Sequence, residues 1–199
     1  MKSILIVGNG KWANKILAFI TKNKIFDIIY IKTRKENFIL KNKIKIKIKN
    51  LPHYKKIDTI HVCSPILTHY KYVKKLLGHK NLIIEKPFLK NFKQFLEIKK
   101  NIKLSKKSRV VVNYIDLYNP LIKGIKKKLN KQFNKIIFEY SDSKSYFKKK
   151  YLCTEDWIEH PLSLILFLFK KFTKFKIVKK LFIHKNNQYL EKVKIQFLY

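Results

Sequence analysis

Glycine, cysteine, arginine and acid are all scarce in this chain of 199 residues. There are four glycines, and two of them, Gly8 and Gly10, stand almost side by side. A chain this poor in glycine keeps one where a bulkier residue would obstruct the backbone. Cys63 and Cys153 are isolated thiols, with no CxxC and no paired Cys/His spacing. That excludes a disulfide framework and a zinc ribbon, so no metal site is expected and a reduced, cytoplasmic protein is the simplest reading. Long apolar runs are missing as well. The longest, Leu162 to Phe169, is far too short to span a bilayer, and no membrane partner is expected. Met1 to Val7 leads straight into an apolar run that reads as a strand, which argues against a signal peptide.

Acid is the rarest charge. Twelve Asp and Glu face 47 Lys and Arg, for a formal charge of +35. Such a balance invites a nucleic-acid or anionic-surface reading. The details oppose it. Arg34 and Arg109 are the two arginines, and all other basic residues are lysine. Specific base and phosphate recognition favours the bidentate fork of arginine. The lysines are spread along the chain among Ile, Asn, Phe and Tyr, the residue set of an AT-rich coding sequence. Nonspecific attraction to polyanions at low salt follows, but no specific nucleic-acid partner does.

What is present is a regular alternation of strands and helices. Ser3 to Val7 reads as a buried strand. Lys11 to Thr21 carries apolar residues at helical spacing. Asp27 to Lys32, Thr59 to Cys63, Asn81 to Ile84 and Arg109 to Asn113 read as further strands, and His69 to Leu77 and Asn91 to Leu104 as helices. Lys43 to Lys49 alternates Lys and Ile, as a half-wet strand or a lysine-rich loop. This α/β order predicts a doubly wound parallel sheet. The pattern changes near Tyr118-Asn119-Pro120. Leu121 to Asn130 and Asp156 to Phe172 read as helices. Lys135 to Tyr140, Lys176 to His184 and Gln188 to Leu198 read as strands, the last two a hairpin about Asn186-Asn187. The expected organisation is a Rossmann domain over residues 1–117 and a reduced α+β domain over 118–199 with a mostly antiparallel sheet.

Gly8-Asn9-Gly10-Lys11-Trp12-Ala13 stands between the first strand and the first helix. Gly-x-Gly-x-x-Ala in that context is a dinucleotide-binding fingerprint. Gly8 permits the tight turn, Gly10 lets backbone approach a pyrophosphate, and Ala13 lets helix pack on strand. The helix N-terminus, with Asn9, Lys11 and Trp12 around it, then faces the phosphates. A tight turn without ligand is the competing reading. The second strand ends Lys32-Thr33-Arg34-Lys35, with no carboxylate for an adenosine ribose before Glu36. Thr33 and Arg34 suit a 2′-phosphate, so NADP is expected ahead of NAD.

The stretch Ile57 to His69, with Ser64-Pro65 in it, followed by Leu82-Ile83-Ile84-Glu85-Lys86-Pro87, resembles the Gfo/Idh/MocA oxidoreductase family. The resemblance runs from residue 1 to about 120 and thins beyond. It implies a Rossmann domain that binds NAD(P) and a second domain that shapes a substrate pocket. It also implies that Ser64, Pro65, His69, Glu85 and Lys86 border the cofactor, and that Lys86 lies by the nicotinamide and the reacting hydroxyl. A cis peptide at Lys86-Pro87 is one option. Asp156-Trp157-Ile158-Glu159-His160 matches the family's Asp and His placed four apart at a helix start, where both share one face. The resemblance then makes His160 the general acid/base and Asp156 its partner or a substrate ligand. A helix cap at Asp156 with an exposed His160 is the alternative. The family's Arg is missing from Ile115-Asp116-Leu117-Tyr118, and Ile158 stands where it often has Gly.

These features together predict hydride transfer between nicotinamide and a secondary alcohol or ketone of a sugar, sugar nucleotide or cyclitol. Imine reduction is a variant, and a noncatalytic dinucleotide-binding sensor or scaffold is the alternative from another class. The second domain is short for the family, and the exposed edges of a small sheet make a homo-oligomer plausible. His53, His61, His79 and His184 show no ligand spacing and read as structural.

Overall fold

The computed structural model describes residues 1–33, 53–79, 81–104, 109–129, 135–145, 158–169, 174–185 and 188–198. The chain divides into two compact units, Met1–Asn113 and Tyr114–Tyr199. The expected Lys43 to Lys49 strand, Arg34, Cys153 and Asp156 lie outside the described residues.

In the first unit, the described strands are β1 (Ser3–Val7), β2 (Ile28–Lys32), β3 (Thr59–Val62), β4 (Asn81–Ile84) and β5 (Arg109–Val112). All pair in parallel, in the order β2-β1-β3-β4-β5. Helices α1 (Lys11–Lys22), α2 (Ile66–Leu76) and α3 (Phe92–Leu104) connect β1 to β2, β3 to β4 and β4 to β5. Strand β1 is buried along its whole length, as a run apolar on both faces must be. Its alternation divides the core. Ile4 and Ile6 pack with Ala13, Leu17 and Ile20 of α1, while Leu5 and Val7 pack with Val73 and Leu76 of α2 and Ile98 of α3. Helices therefore cover both faces of the sheet, which is the doubly wound arrangement. Asp58 Oδ2 accepts from Ser3 N at 2.8 Å and from Ser3 Oγ at 2.9 Å, tying the starts of β1 and β3.

In the second unit, the short 3-10 turn Ile115–Tyr118 leads into α4 (Pro120–Lys128), with Pro120 at its first position and Asn119 Oδ1 accepting from Leu121 N at 3.0 Å. Helix α5 (Glu159–Phe169) and strands β6 (Lys135–Ser145), β7 (Lys174–Lys185) and β8 (Gln188–Leu198) follow. The three strands form an antiparallel sheet in the order β6-β8-β7. Period two sets its faces. Val193, Ile195 and Phe197 of β8 are buried with Ile165 of α5, and Leu162 and Phe169 pack against them. Lys194, between them, pairs with Glu139 across the ladder. Phe197 is fully buried and is among the largest such side chains. Phe197→Ala is expected to cost roughly 3–5 kcal/mol, read as a lowered denaturant midpoint.

Strand β6 runs past the expected Tyr140 to Ser145, because β8 pairs with it down to Gln188. Helix α2 begins at Ile66, three residues before the expected His69, with Pro65 as its cap. No helix among the described residues is long and apolar enough to cross a membrane.

Candidate active site

The strand order reverses direction at β1 and β3, so the crevice beyond their carboxyl ends is where a doubly wound sheet takes its ligand. Gly8 closes β1 with a φ of +121°, a conformation that side chains rarely adopt. A Cβ there would sit 2.8 Å from the Cys63 carbonyl oxygen and 3.1 Å from Ser64 N. Gly8 N donates to Lys32 O at 2.9 Å, and Cys63 N to Val7 O at 2.8 Å, so the three strand ends are locked together. Gly10 differs. A Cβ on it meets nothing within 4 Å. The fold does not demand this glycine, and the open space beside it is what a closely approaching phosphate requires. Gly10 caps α1 with no side-chain hydrogen bond, and the first turn carries no acid. The helix start thus offers backbone N–H groups and a positive dipole end to an anion. The turn fits a dinucleotide.

At the end of β2, Lys32 Nζ donates to the Tyr54 hydroxyl at 2.7 Å, a bond that raises the lysine pKa against the opposing effect of burial. Thr33 follows, half-buried. At the end of β3, the Ser64 and Thr68 hydroxyls are 2.6 Å apart and Thr68 Oγ1 donates to Pro65 O at 2.8 Å. His69 is buried, with Nε2 2.7 Å from Ser64 O and Nδ1 2.9 Å from Pro87 O. It ties the Ser64-Pro65 turn to the Glu85-Lys86-Pro87 segment, where the Lys86–Pro87 peptide is cis. His79 Nε2 lies 2.6 Å from Ile57 O, a packing role like the one expected of it.

Glu85 follows β4. It accepts from His61 Nε2 at 2.7 Å and from Asn113 Nδ2 at 2.8 Å. Burial pushes its pKa up, but the hydrogen bonds of His61 and Asn113, the His61 charge and a hydrogen bond from Trp12 together hold it below the ordinary carboxylate range. Trp12 thereby links the phosphate turn to the residue before Lys86. Lys86 itself is half-buried. Burial first, and the Glu85 charge second, push the Cys63 thiol pKa up.

The second unit holds a separate group. His160 stands in the first turn of α5, and its Nδ1 lies 2.5 Å from Asp116 Oδ2, with the histidine side chain 12% exposed and the aspartate 40%. The exposed His160 of the capping alternative is therefore not found. Burial, then the charge of Glu159 and a hydrogen bond to it, raise the Tyr114 phenol well above its ordinary value. Tyr114 and Asp116 on one side, Glu159 and His160 on the other, bring four titratable groups together. Sequence reasoning missed Asp116, which is 44 residues from its partner. The available signal was scarcity: among twelve acids in the chain, one falls at the entry to the second unit.

Residues 2–114 match the family described as "Oxidoreductase family, NAD-binding Rossmann fold", GFO_IDH_MocA. No curated protein matches the chain. Among solved structures, the WlbA (WbpB) dehydrogenase from Thermus thermophilus, in complex with NAD and alpha-ketoglutarate, is similar with a TM-score of 0.69 at 14% identity, covering 94% of this chain and 71% of that one. A probable dehydrogenase from Thermotoga maritima gives 0.73 at 15% identity, covering 93% and 60%. The apo scyllo-inositol dehydrogenase from Lactobacillus casei gives 0.71 at 15%, covering 94% and 60%. The chain thus spans 60% to 71% of the length of these three proteins. At such identities they show the fold. The match over more than half of the chain shows the family: this protein belongs to the Gfo/Idh/MocA oxidoreductases, and its first unit is an NAD-binding Rossmann fold.

Proposed function

We propose that the protein is an NAD(P)-dependent oxidoreductase that moves a hydride between the nicotinamide and a secondary alcohol or ketone of a sugar, sugar nucleotide or cyclitol. The observation that carries this reading is the Asp116–His160 pair at 2.5 Å, in a chain whose first unit has an open phosphate turn. When bound, the nicotinamide supplies the hydride acceptor or donor. The protein's own residues must manage the proton. In the oxidative direction the carbinol C–H leaves as hydride, and the hydroxyl proton must go to a base. Asp116 engages His160 Nδ1, which orients the ring so that proton exchange runs through Nε2. An imidazolium formed there is stabilised by the adjacent carboxylate.

Lys86 is assigned the reacting oxygen, which its ammonium would hydrogen-bond and polarise. Gly8, Asn9, Gly10, Lys11, Trp12 and Ala13 are assigned the pyrophosphate. Ser64, Pro65 and Glu85 are assigned the border of the cofactor cleft, and buried His69 the support beneath it. Asp156 is assigned to substrate. Thr33 and Arg34 lead us to propose NADP ahead of NAD. For the substrate, support comes from neighbours. The Thermus thermophilus dehydrogenase is also described in complex with NAD and UDP-GlcNAcA, and others are inositol dehydrogenases. A homo-oligomer through the three-stranded sheet, whose edges are β6 and β7, is proposed on the same footing.

The test is turnover. Purified protein is offered NADP and NAD with a panel of cyclitols, aldoses and nucleotide sugars, and reduced nicotinamide is followed by absorbance. Turnover with at least one member, lost when Lys86 and His160 are both changed to alanine, is the expected result. Full activity in that double variant would sink the mechanism. Cofactor binding with no turnover across the panel would favour a sensor or scaffold.

A further inference from the structure

Two residues that the mechanism does not use, His61 and Cys63, stand with Glu85 in one cluster. One ligand atom from each lies within 4.8 Å of the others. We infer that His61, Cys63 and Glu85 form a binding site for a thiophilic divalent cation of the zinc class.

The placement follows from the sheet. His61 and Cys63 are two residues apart along β3 and its end, so their side chains share one face. Glu85 N donates to Val62 O at 3.0 Å, which fixes the end of β4 beside that of β3. His61 lies within β3, and Cys63 and Glu85 directly follow β3 and β4, where backbone bonds to Val7 O and Val62 O fix them. His61 is buried, and Cys63 and Glu85 are partly so.

The donor set selects the ion. An imidazole nitrogen, a thiolate and a carboxylate suit zinc or another borderline-soft metal, whereas calcium and magnesium want several oxygens. Three protein ligands with a fourth position for water is a common zinc arrangement. Zinc bonds of about 2.0–2.3 Å set the donors roughly 3.5 Å apart. His61 and Glu85, at 2.7 Å, would part slightly as a cation replaced the proton between them, while Cys63 would draw in. Charge also closes. A divalent ion with one thiolate, one carboxylate and a neutral imidazole is neutral overall, which suits a partly buried place. Binding releases the thiol proton to solvent, and a second proton when the imidazole carries one; nothing is oxidised or reduced. Outside the ligands, Asn113 Nδ2 holds Glu85 Oε1 at 2.8 Å, the kind of support that orients a ligating carboxylate.

The site is independent of the oxidoreductase reading, because metal binding alone reads it. Full-length protein carrying Cys153→Ser, which leaves Cys63 as its single thiol, is titrated with cobalt(II) under reducing conditions. A near-ultraviolet thiolate-to-cobalt charge-transfer band that saturates at one equivalent and is erased by zinc is expected. Cys63→Ser should lose that band, and His61→Gln should weaken binding by more than the roughly 10–100-fold that loss of a supporting residue costs. Absence of the band in Cys153→Ser, or its survival in Cys63→Ser, would overturn the site. The first measurement keeps Cys63 in place, so it does not depend on a Cys63 variant folding.

Discussion

Gly8→Ala is expected to destabilise the protein by about 3 kcal/mol or more and to lower cofactor affinity over roughly a hundredfold, while Gly10→Ala spares the fold and loses the cofactor. The two glycines share a motif but not a reason. At Gly8 the φ of +121° strains any side chain, and the new methyl would lie 2.8 Å from the backbone oxygen of Cys63 and 2.9 Å from its carbon. Strain of this kind costs roughly 1–3 kcal/mol before the clash is added. For a chain of this size, 3 kcal/mol corresponds to a melting temperature lower by roughly 6–12 °C. The wall of the clash is the β3 end, so relaxation would pry apart β1 and β3, where the crevice is formed.

At Gly10 the φ is −72° and a methyl meets open space. Alanine is a poorer cap than glycine but restricts the unfolded chain more, so the net change should stay within about 1 kcal/mol. The methyl would instead occupy the space that a pyrophosphate needs, and affinity should fall at least tenfold. Thermal melts beside cofactor titrations of both variants separate the two effects. Equal losses of stability would show that Gly10 is a folding residue and that the open space has no ligand.

The second large effect is at the Asp116–His160 pair. His160→Ala should lower kcat by about a thousandfold, in the range of roughly 10²–10⁴ for loss of a general acid/base, with cofactor affinity unchanged. Asp116→Asn keeps the shape and removes the charge that orients and stabilises the imidazolium. It should lower kcat less than His160→Ala does, because the imidazole that exchanges the proton is still present. The discriminating readout is the double variant. If the two residues act as one unit, adding Asp116→Asn to His160→Ala should cost nothing further. Additive losses would place Asp116 on the substrate instead.

Local chemistry made most of the first unit legible. The apolar run of β1, the Gly8–Ala13 turn and the spacing of Ala13, Leu17 and Ile20 are all short-range signals, and each matches the structure. The extent of β6 was not readable, because Ser141 to Ser145 is polar and is a strand through its pairing with β8. Strand preference bends to such context. The site divides the same way. Glu85 and Lys86 stand out by their motif, but the partners of Glu85 do not, since His61 lies in β3 and Asn113 directly follows β5. His61 shows no spacing signal because its partner Glu85 is a neighbour in space and not in sequence. Asp116 and His160 meet across 44 residues, beyond any periodicity.

The central claim is that the turn at Gly8–Ala13 holds a nicotinamide dinucleotide, and the measurement that tests it most directly is a fluorescence titration of the purified protein with NADPH and with NADH at physiological salt. Saturable binding of at least one of them, tighter for NADPH and lost in Gly10→Ala, is the predicted result. Saturation with NADH preferred would keep the fold's function and discard the role given to Arg34. No saturable binding of either, in protein shown to be folded, would contradict the account.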